Sequence, residues 1–299
     1  MQSFIFDYYG YNVSEIVDSH FDYKGYRFTL ISTTETDANI AKLDEFVTNL
    51  RQNFADDVVY FVKNRYNQYI SLNEATSILL LTYKLSPIHL DALLKMHQIY
   101  YNFNQSRLNL NEIISLWEQR IDYLENQCLV ILNFDNPSHK DLYEYVMYAI
   151  GMAENALQYL TDLRIDFKTP FIATLTHRRI KKLDKWEIFN PFNLIFDHSS
   201  RDLAELYRND IIDLNQLLDL TKQYQYQIKD YQYLLARVLF PVSVFDVLED
   251  IYLDKNYDYT DTIYNAIQAQ EKHIQKVKIL YKTMIQSMNI RPIRWLDLN

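Results

Sequence analysis

Two neighbouring stretches, TLTHRRIKKLDKW (174–186) and NPFNLIFDHSSRDLAELYR (190–208), carry the pattern that decides the fold. In the first, His177 opens a loop that is rich in arginine and lysine. In the second, a short apolar strand is predicted to end in Asp197, and Asp202 is predicted to begin a helix. Loops that follow short buried segments are where proteins concentrate binding and catalytic side chains. These residues are therefore the candidate functional residues of the chain.

The overall composition limits the classes of protein to which this chain can belong. It has 299 residues, of which 48% are apolar, so it is long enough for two domains and a substantial core. Its formal net charge is −9, and its pI is about 5.3. Because a surface of this sign repels polyanions, we expect no nucleic-acid partner.

The rarity of cysteine and glycine excludes two further kinds of site. Cys128 is the only cysteine, so the chain cannot form an internal disulfide or a cysteine-based zinc cluster. Only three glycines occur, and none of them is next to another. Loops that cradle phosphate on bare backbone need clustered glycines, and neither GxGxxG nor GxxxxGK[ST] is present.

Targeting signals are not evident in the sequence. The first residues contain no basic segment followed by a long apolar one, as a secretory signal would. The longest apolar run, SILLLTY (77–83), is far too short to cross a bilayer. We therefore predict a cytoplasmic protein without a membrane span.

The order of the predicted elements indicates an α+β protein. Residues 20–33 alternate around Gly25 as a hairpin would, residues 35–54 have helical spacing, and residues 57–83 return to strand character with a turn at 64–67. Helices are then predicted at about 109–130, 138–163, 201–209, 211–238, 243–254 and 257–289. A small strand-rich N-terminal lobe (1–84) and a large helical C-terminal lobe (85–299) are typical of a protein-kinase-like, two-lobed fold, which we predict here.

The loop and the strand after it resemble the active-site segment of aminoglycoside and choline kinase-like phosphotransferases. In that superfamily a loop H-G-D-x-x-x-x-N precedes an apolar strand that ends in a metal-binding Asp, and a further Asp opens a helix. Here His177 opens the loop, FNLIFD ends in Asp197, and Asp202 matches the further Asp. Three segments are also similar to those of the spore-coat-associated kinase-like proteins, the CotS/YutH group, and most of all to its YutH branch: AIGMAENALQYL (149–160), FDHSSRDLAELYR (196–208) and LLARVLFPVSVFDVLEDIY (234–252).

The loop departs from the pattern that this resemblance implies for an active enzyme. Arg179 stands at the position of the catalytic Asp, and a guanidinium cannot accept the proton of a substrate hydroxyl. Arg178 stands at the position of the Gly, where the loop should be tight. Asp184 falls at the position of the metal-binding Asn and could still ligate a cation.

The strand-rich part also lacks the expected phosphate-pairing lysine. The predicted strand YRFTLIST (26–33) ends in Ser and Thr, and Lys63 lies in a different strand. Asp44 or Glu45 supplies the acid of the helix that follows, but its partner cannot be identified from the sequence. The resemblance in residues 1–84 therefore rests on the order of elements.

Each candidate residue also has a structural interpretation. His177 is expected to brace the loop through backbone hydrogen bonds, and Asp197 to accept hydrogen bonds from loop amides. Asp202 is expected to N-cap the helix LAELYR, and Asp184 to be a solvated loop residue. The basic residues of the loop either form a solvated face or attract a phosphate or an acidic partner segment; they are Arg178, Arg179, Lys181, Lys182 and Lys185.

Three functions follow from these alternatives. The leading hypothesis is a catalytically inactive kinase-like protein, a pseudokinase, that binds protein partners. The resemblance places such a role in spore-coat or envelope-associated assembly, with no catalytic residue and no cofactor expected. The alternative is an ATP-dependent small-molecule phosphotransferase in which Asp184 and Asp197 hold Mg²⁺. A third possibility is a sensor that binds an anion or nucleotide through the basic loop without turnover.

The C-terminal stretch RPIRWLDLN (291–299) has two interpretations. It either docks back onto the helical lobe or serves as a partner peptide. The sequence does not decide between them, and it predicts no oligomeric state.

Overall fold

The computed structural model describes residues 1–99, 107–254 and 258–297. The chain forms two compact units. The first unit comprises Met1–Ile99 and Leu175–Phe196, and the second comprises Tyr100–Thr174 and Asp197–Asn299. The predicted α+β class is confirmed. The lobe boundary at residue 84 stays a prediction.

The secondary structure is predominantly helical after residue 84. The strands are β1 His20–Tyr23, β2 Tyr26–Ser32, β3 Tyr60–Val62, β4 Ile70–Asn73, β5 Thr76–Lys84, β6 Arg107–Leu108, β7 Phe171–Ile172, β8 Thr174–His177 and β9 Leu194–Asp197. The helices are α1 Gln2–Tyr9, α2 Asp37–Phe54, α3 Leu90–Met96, α4 Leu110–Tyr123, α5 Pro137–Asp166, α6 Lys185–Phe189, α7 Ser200–Arg208, α8 Leu214–Gln223, α9 Ile228–Leu239, α10 Ser243–Leu253, α11 Thr260–Ser287 and α12 Arg294–Asp297.

An antiparallel five-stranded sheet organises the first unit. Its strand order is β1-β2-β5-β3, and β4 also pairs with β5. The central strand β5 is buried on both faces, because Ile78, Leu80 and their neighbours Leu79 and Leu81 point alternately to opposite sides. Helix α1 covers one face, where its buried side chains join a cluster of sheet residues: Phe4, Ile5, Phe21, Phe28, Leu30, Ile78 and Leu80.

The hairpin and the helix predicted at the start of the chain are confirmed. Lys24 and Gly25 both have positive φ, at 50° and 81°, so they form the two-residue turn that a hairpin of this twist requires. Helix α2 begins after Thr36, whose side chain accepts a hydrogen bond from the amide of Asn39. The segment 57–83 contains three strands instead of a single hairpin, and α1 was not predicted.

One long helix of the second unit is broken where the sequence predicted continuity. Residues 211–238 form two helices, α8 and α9, because the chain turns between them with Gln225 at a φ of 54°. Asp213 opens α8 with a reciprocal capping box, and at the start of α9 the Asp230 carboxylate accepts from the amide of Gln227. The predicted helix 109–130 ends as α4 and continues through a π turn, Leu124–Cys128. Residue 257, at which the last long helix was predicted to begin, lies outside the described residues.

The second unit is a helical assembly around the 30-residue helix α5. This helix packs against α4, α9, α10 and α11. The C-terminal stretch packs back onto the same unit: the Tyr159 hydroxyl donates to the carbonyl of Arg291, and the Tyr281 hydroxyl donates to Asp297. Of the two interpretations of this stretch, the structure therefore favours docking for its described residues 291–297. In the described part of the chain, every helix is too short or too polar to cross a bilayer.

Candidate functional site

The loop that carries the family resemblance runs from the end of β8 to the start of β9. His177 is fully buried, and its Nε2 donates to the carbonyl of Ile188 at 2.8 Å. The amide of Arg178 donates to the carbonyl of Asn193 at 2.7 Å, which joins the two ends of the loop. His177 thus contacts loop backbone through its side chain.

Asn193 organises the loop and was not identified from the sequence. Its Nδ2 donates to the carbonyls of Arg179 and Glu187, each at 2.7 Å, and its Oδ1 accepts from the amide of Arg179 at 3.1 Å. The family pattern has its Asn seven residues after the His, and in this chain that position is Asp184. A polar amide between two apolar residues in PFNLIF was the available signal.

Asp184 and Lys185 attach the loop to its short helix and to the sheet region. The Asp184 carboxylate N-caps α6 by accepting from the amide of Glu187 at 2.8 Å, and it pairs with Lys182 at 2.8 Å. Asp184 is therefore exposed beside a lysine, as interpreted from the sequence, with a side chain that is 37% exposed, and it also caps a helix, which was not predicted. Lys185 is buried, and its Nζ donates to Asp57 and Ser86.

Asp197, the residue that the resemblance assigns to the metal, is buried within the second unit and surrounded by donors. Its Oδ2 accepts from Arg237 at 2.5 Å and from Arg201 at 3.0 Å. Its Oδ1 accepts from the amide of His198 at 2.7 Å and from the Tyr233 hydroxyl at 3.3 Å. We call Asp197 with its two guanidinium partners the arginine clamp.

The electrostatics of the arginine clamp favour an ionised carboxylate. Burial alone would raise the pKa of Asp197, but the charges of Arg237 and Arg201 and the amide of His198 hold that pKa below its usual value. The side chains of Asp197 and Arg237 are 6% and 9% exposed, so neither charge can return to water without a rearrangement. Arg237 also lies over the rings of Trp117 and Tyr233.

Asp202 does not cap its helix, so that prediction is wrong. Helix α7 begins at Ser200, before Asp202, and Ser199 occupies the N-cap position. Asp202 is fully buried in the first turn, where a carboxylate is favoured by the positive end of the helix dipole.

A second buried polar cluster lies beside the arginine clamp and was not anticipated. His198 Nδ1 lies 2.9 Å from the Ser200 hydroxyl, and its Nε2 lies 3.3 Å from an Asp230 oxygen. All three side chains are buried, so no substrate reaches them in this conformation. The contacts of His198 with Ser200 and Asp230 make it part of the packing between α7 and α9.

The acid of α2 has an identifiable partner in the structure. The Tyr69 hydroxyl donates to Asp44 at 2.7 Å, and Lys63 lies over the Tyr69 ring with its Nζ 4.6 Å from the centroid. Burial and the hydrogen bond to Asp44 raise the pKa of Tyr69 to about 12. The partner of Asp44 is therefore Tyr69 and not a lysine, and Lys63 contacts the Tyr69 ring.

The surroundings of Asp197 do not fit the nucleotide-bound metal that a kinase-like fold implies, because two arginines occupy its carboxylate. Across residues 1–99, 107–254 and 258–297, no group of three or more His, Cys, Asp or Glu side chains could hold an ion. The carboxylate of Asp197 is already neutralised by two arginines. We therefore derive no step through a metal.

Solved structures of known proteins show which fold class the chain has. An aminoglycoside phosphotransferase from Alicyclobacillus acidocaldarius has a TM-score of 0.57 and 11% identity, covering 96% of each chain. A spectinomycin phosphotransferase solved with ADP and spectinomycin has a TM-score of 0.56 and 11% identity, covering 94% of this chain and 92% of that one. These likenesses confirm the predicted kinase-like phosphotransferase fold.

The family is defined by sequence. A family model described as "Spore coat putative kinase YutH" matches residues 2–283. The chain belongs to this spore coat YutH family, which confirms the predicted resemblance. It is also 30% identical over 204 residues to the endospore coat-associated protein YutH of Bacillus subtilis (strain 168). That alignment covers 60% of this chain and 60% of the length of the relative.

Proposed function

We propose that this protein is a catalytically inactive kinase-like protein, a pseudokinase, that acts by binding protein partners in spore-coat assembly. The arginine clamp is the observation that carries the proposal. A metal ion at Asp197 would have to displace Arg201 and Arg237 from the carboxylate and leave a buried guanidinium without its counter-ion. The clamp thus supplies internally the positive charge that a metal would bring.

The loop supports the same proposal. Arg179 occupies the position that the resemblance assigns to the proton-accepting Asp, and its backbone is held in place on both sides by Asn193. A guanidinium has donors only and cannot align or deprotonate a substrate hydroxyl. Asp184, the second expected metal ligand, is engaged as a helix cap and in an ion pair with Lys182.

The setting in the spore coat rests on the family and on the relative described as endospore coat-associated. Because the proposed coat component has no catalytic activity, its function depends on what it binds. We therefore expect its ligands to be protein partners.

Thermal unfolding with ATP and Mg²⁺ tests the proposal. A protein that bound ATP with a Kd of ~100 µM would gain about 1.4 kcal/mol at ~1 mM ATP. For a chain of this size that gain corresponds to a rise in Tm of roughly 2 °C. We expect no concentration-dependent rise, and no transfer of phosphate to water or to aminoglycosides.

Asp184→Gly and Arg179→Ala separate the alternatives. Stabilisation by ATP that requires Mg²⁺ and is lost in Asp184→Gly would replace the proposal with the small-molecule phosphotransferase. Stabilisation by nucleotide without Mg²⁺, lost in Arg179→Ala, would replace it with the anion sensor. Asp184→Gly is a suitable variant because glycine offers no side-chain oxygen to a metal and costs only about a few tenths of a kcal/mol at an N-cap.

A further inference from the structure

Helix α11 buries two polar side chains in the core of the second unit. Gln270 is fully buried and His273 is 5% exposed. Because they are three residues apart, they are neighbours on one face of the helix. Within residues 1–99, 107–254 and 258–297, the Oε1 of Gln270 and both ring nitrogens of His273 form no hydrogen bond of normal geometry. Buried polar atoms of a folded protein are rarely left in this state, so the pair calls for a ligand.

Met152 of α5 fixes the orientation of the Gln270 amide. The Nε2 of Gln270 donates to the Sδ of Met152 at 3.3 Å. A thioether sulfur only accepts hydrogen bonds, so the reversed amide would place two acceptors against each other. The Oε1 of Gln270 therefore points away from Met152, and it needs a donor.

His273 supplies a second acceptor beside the first. Burial and the charges of Arg208 and Lys276 hold the pKa of His273 well below its usual value, so the ring is neutral near neutral pH. A neutral imidazole has one N–H group and one lone-pair nitrogen in either tautomer. The carbonyls of Val238 and Leu239 in α9 face the ring and suit its N–H group. The lone-pair nitrogen remains an acceptor that needs a donor.

The two acceptors and the charges around them determine which ligand fits. An anion would be repelled by both acceptors, and a cation by Arg208 and Lys276, the charges that act on His273. The described part of the chain also contains no group of three or more His, Cys, Asp or Glu side chains that could hold a metal ion. The ligand is therefore small, neutral and able to donate two hydrogen bonds. Water has these properties, and buried waters typically bond to polar groups of this kind.

We propose that Gln270 and His273 hold one buried water molecule, which donates one hydrogen bond to the Oε1 of Gln270 and the other to the lone-pair nitrogen of His273. Side chains three residues apart on a helix have Cβ atoms about 5–6 Å apart, a separation that one water bridges with two hydrogen bonds of about 2.8 Å. The water completes the hydrogen bonding of the α11 face that meets α5 and α9. This site goes beyond the proposed function and does not depend on it.

Thermal unfolding of Gln270→Met and His273→Leu tests the site. Each substitution removes one acceptor and leaves the other with a poorly held water or with none, so each should lower the Tm by roughly 2–5 °C. The double variant removes both acceptors, so its loss should be smaller than the sum of the two single losses. Gln268→Met is the matched control, because Gln268 is exposed on the same helix, and its Tm should change by less than about 1 °C.

A crystal structure of the wild-type protein gives the direct result. We expect a well-ordered water within hydrogen-bonding distance of Gln270 Oε1 and of a His273 ring nitrogen. A rise in Tm for both single variants would show that the pair is buried dry, and it would overturn the inference. A wild-type crystal structure with no water between the two side chains, or with an ion there, would do the same, even if a variant fails to fold. None of these outcomes bears on the ATP experiment.

Discussion

Asp197→Asn is the substitution that tests the arginine clamp most directly. The change keeps the shape of the side chain and removes its charge. In the wild-type protein the carboxylate faces two guanidiniums, an amide and a tyrosine hydroxyl. In the variant, an amide group would face Arg237 and Arg201 with no charge to balance them.

The expected cost follows from how deeply the partners are buried. The Arg237 side chain is 9% exposed, so it cannot recover its hydration when the carboxylate is lost. The Arg201 side chain is 23% exposed and can turn partly towards water. Removing one partner of a buried ion pair costs roughly 3–5 kcal/mol, and we expect Asp197→Asn to lower the free energy of unfolding by that amount.

Urea unfolding followed by far-UV circular dichroism measures the effect. Adding Arg237→Met to Asp197→Asn should restore about 1–3 kcal/mol, because the most buried uncompensated charge is then gone. Asp184→Asn is the control and should stay within about 0.5 kcal/mol of wild type, since Asn is an equivalent cap and only an exposed ion pair is lost. A cost below about 1 kcal/mol for Asp197→Asn, or a loss of wild-type stability on adding EDTA, would refute the reasoning.

Four further substitutions probe other parts of the chain. Burial, with the nearby charges of Arg208 and Lys276, lowers the pKa of His273 to about 3, from a usual value of 6.5. Below pH 6.5, His273 is therefore protonated in the unfolded state and stays neutral in the folded state, which favours unfolding. Lowering the pH from about 7.5 to about 5 should therefore reduce the unfolding free energy of the wild type by about 2 kcal/mol more than that of His273→Leu. Urea titrations at the two pH values measure both losses, and equal losses would contradict the prediction. Gly10 has a φ of 79°, so Gly10→Ala should cost about 1–2 kcal/mol, whereas Gly151→Ala, with open space around it in a helix, should be neutral or stabilising. Asn193→Ala removes three hydrogen bonds of the loop and should cost roughly 2–4 kcal/mol; a neutral result would show that the loop does not depend on it.

The parts of the fold that could be predicted are those with a local physical cause. The hairpin at 20–33 was predictable because alternating side chains flank a glycine that adopts positive φ without strain. Helix α2 was predictable because its buried residues recur at helical spacing behind a threonine cap. The break between α8 and α9 was not predictable, because the residue with positive φ is Gln225 and no glycine or proline marks the turn.

The candidate site was predictable in its order of residues and not in its contacts. His177, Asp184 and Asp197 were found from their spacing along the chain. Asp197 and Arg237 are 40 residues apart, and their pairing depends on how α7 and α9 pack. A signal was nevertheless present, since Arg237 is a lone charge in the apolar run LLARVLF, and a charged side chain at a buried position needs a partner.

Two carboxylates, one in each unit, support the proposal that the protein is catalytically inactive. In the first unit, the acid of α2 is bonded by the Tyr69 hydroxyl, a neutral group that cannot hold a nucleotide phosphate by charge. In the second unit, Asp197 is neutralised by two arginines. Phosphotransfer by the arrangement that the resemblance implies would require both carboxylates to exchange their protein partners, and each exchange exposes buried polar groups. A single reversion, such as Arg179→Asp, should therefore restore no phosphotransfer, and activity in that variant would show that the clamp opens when substrate binds.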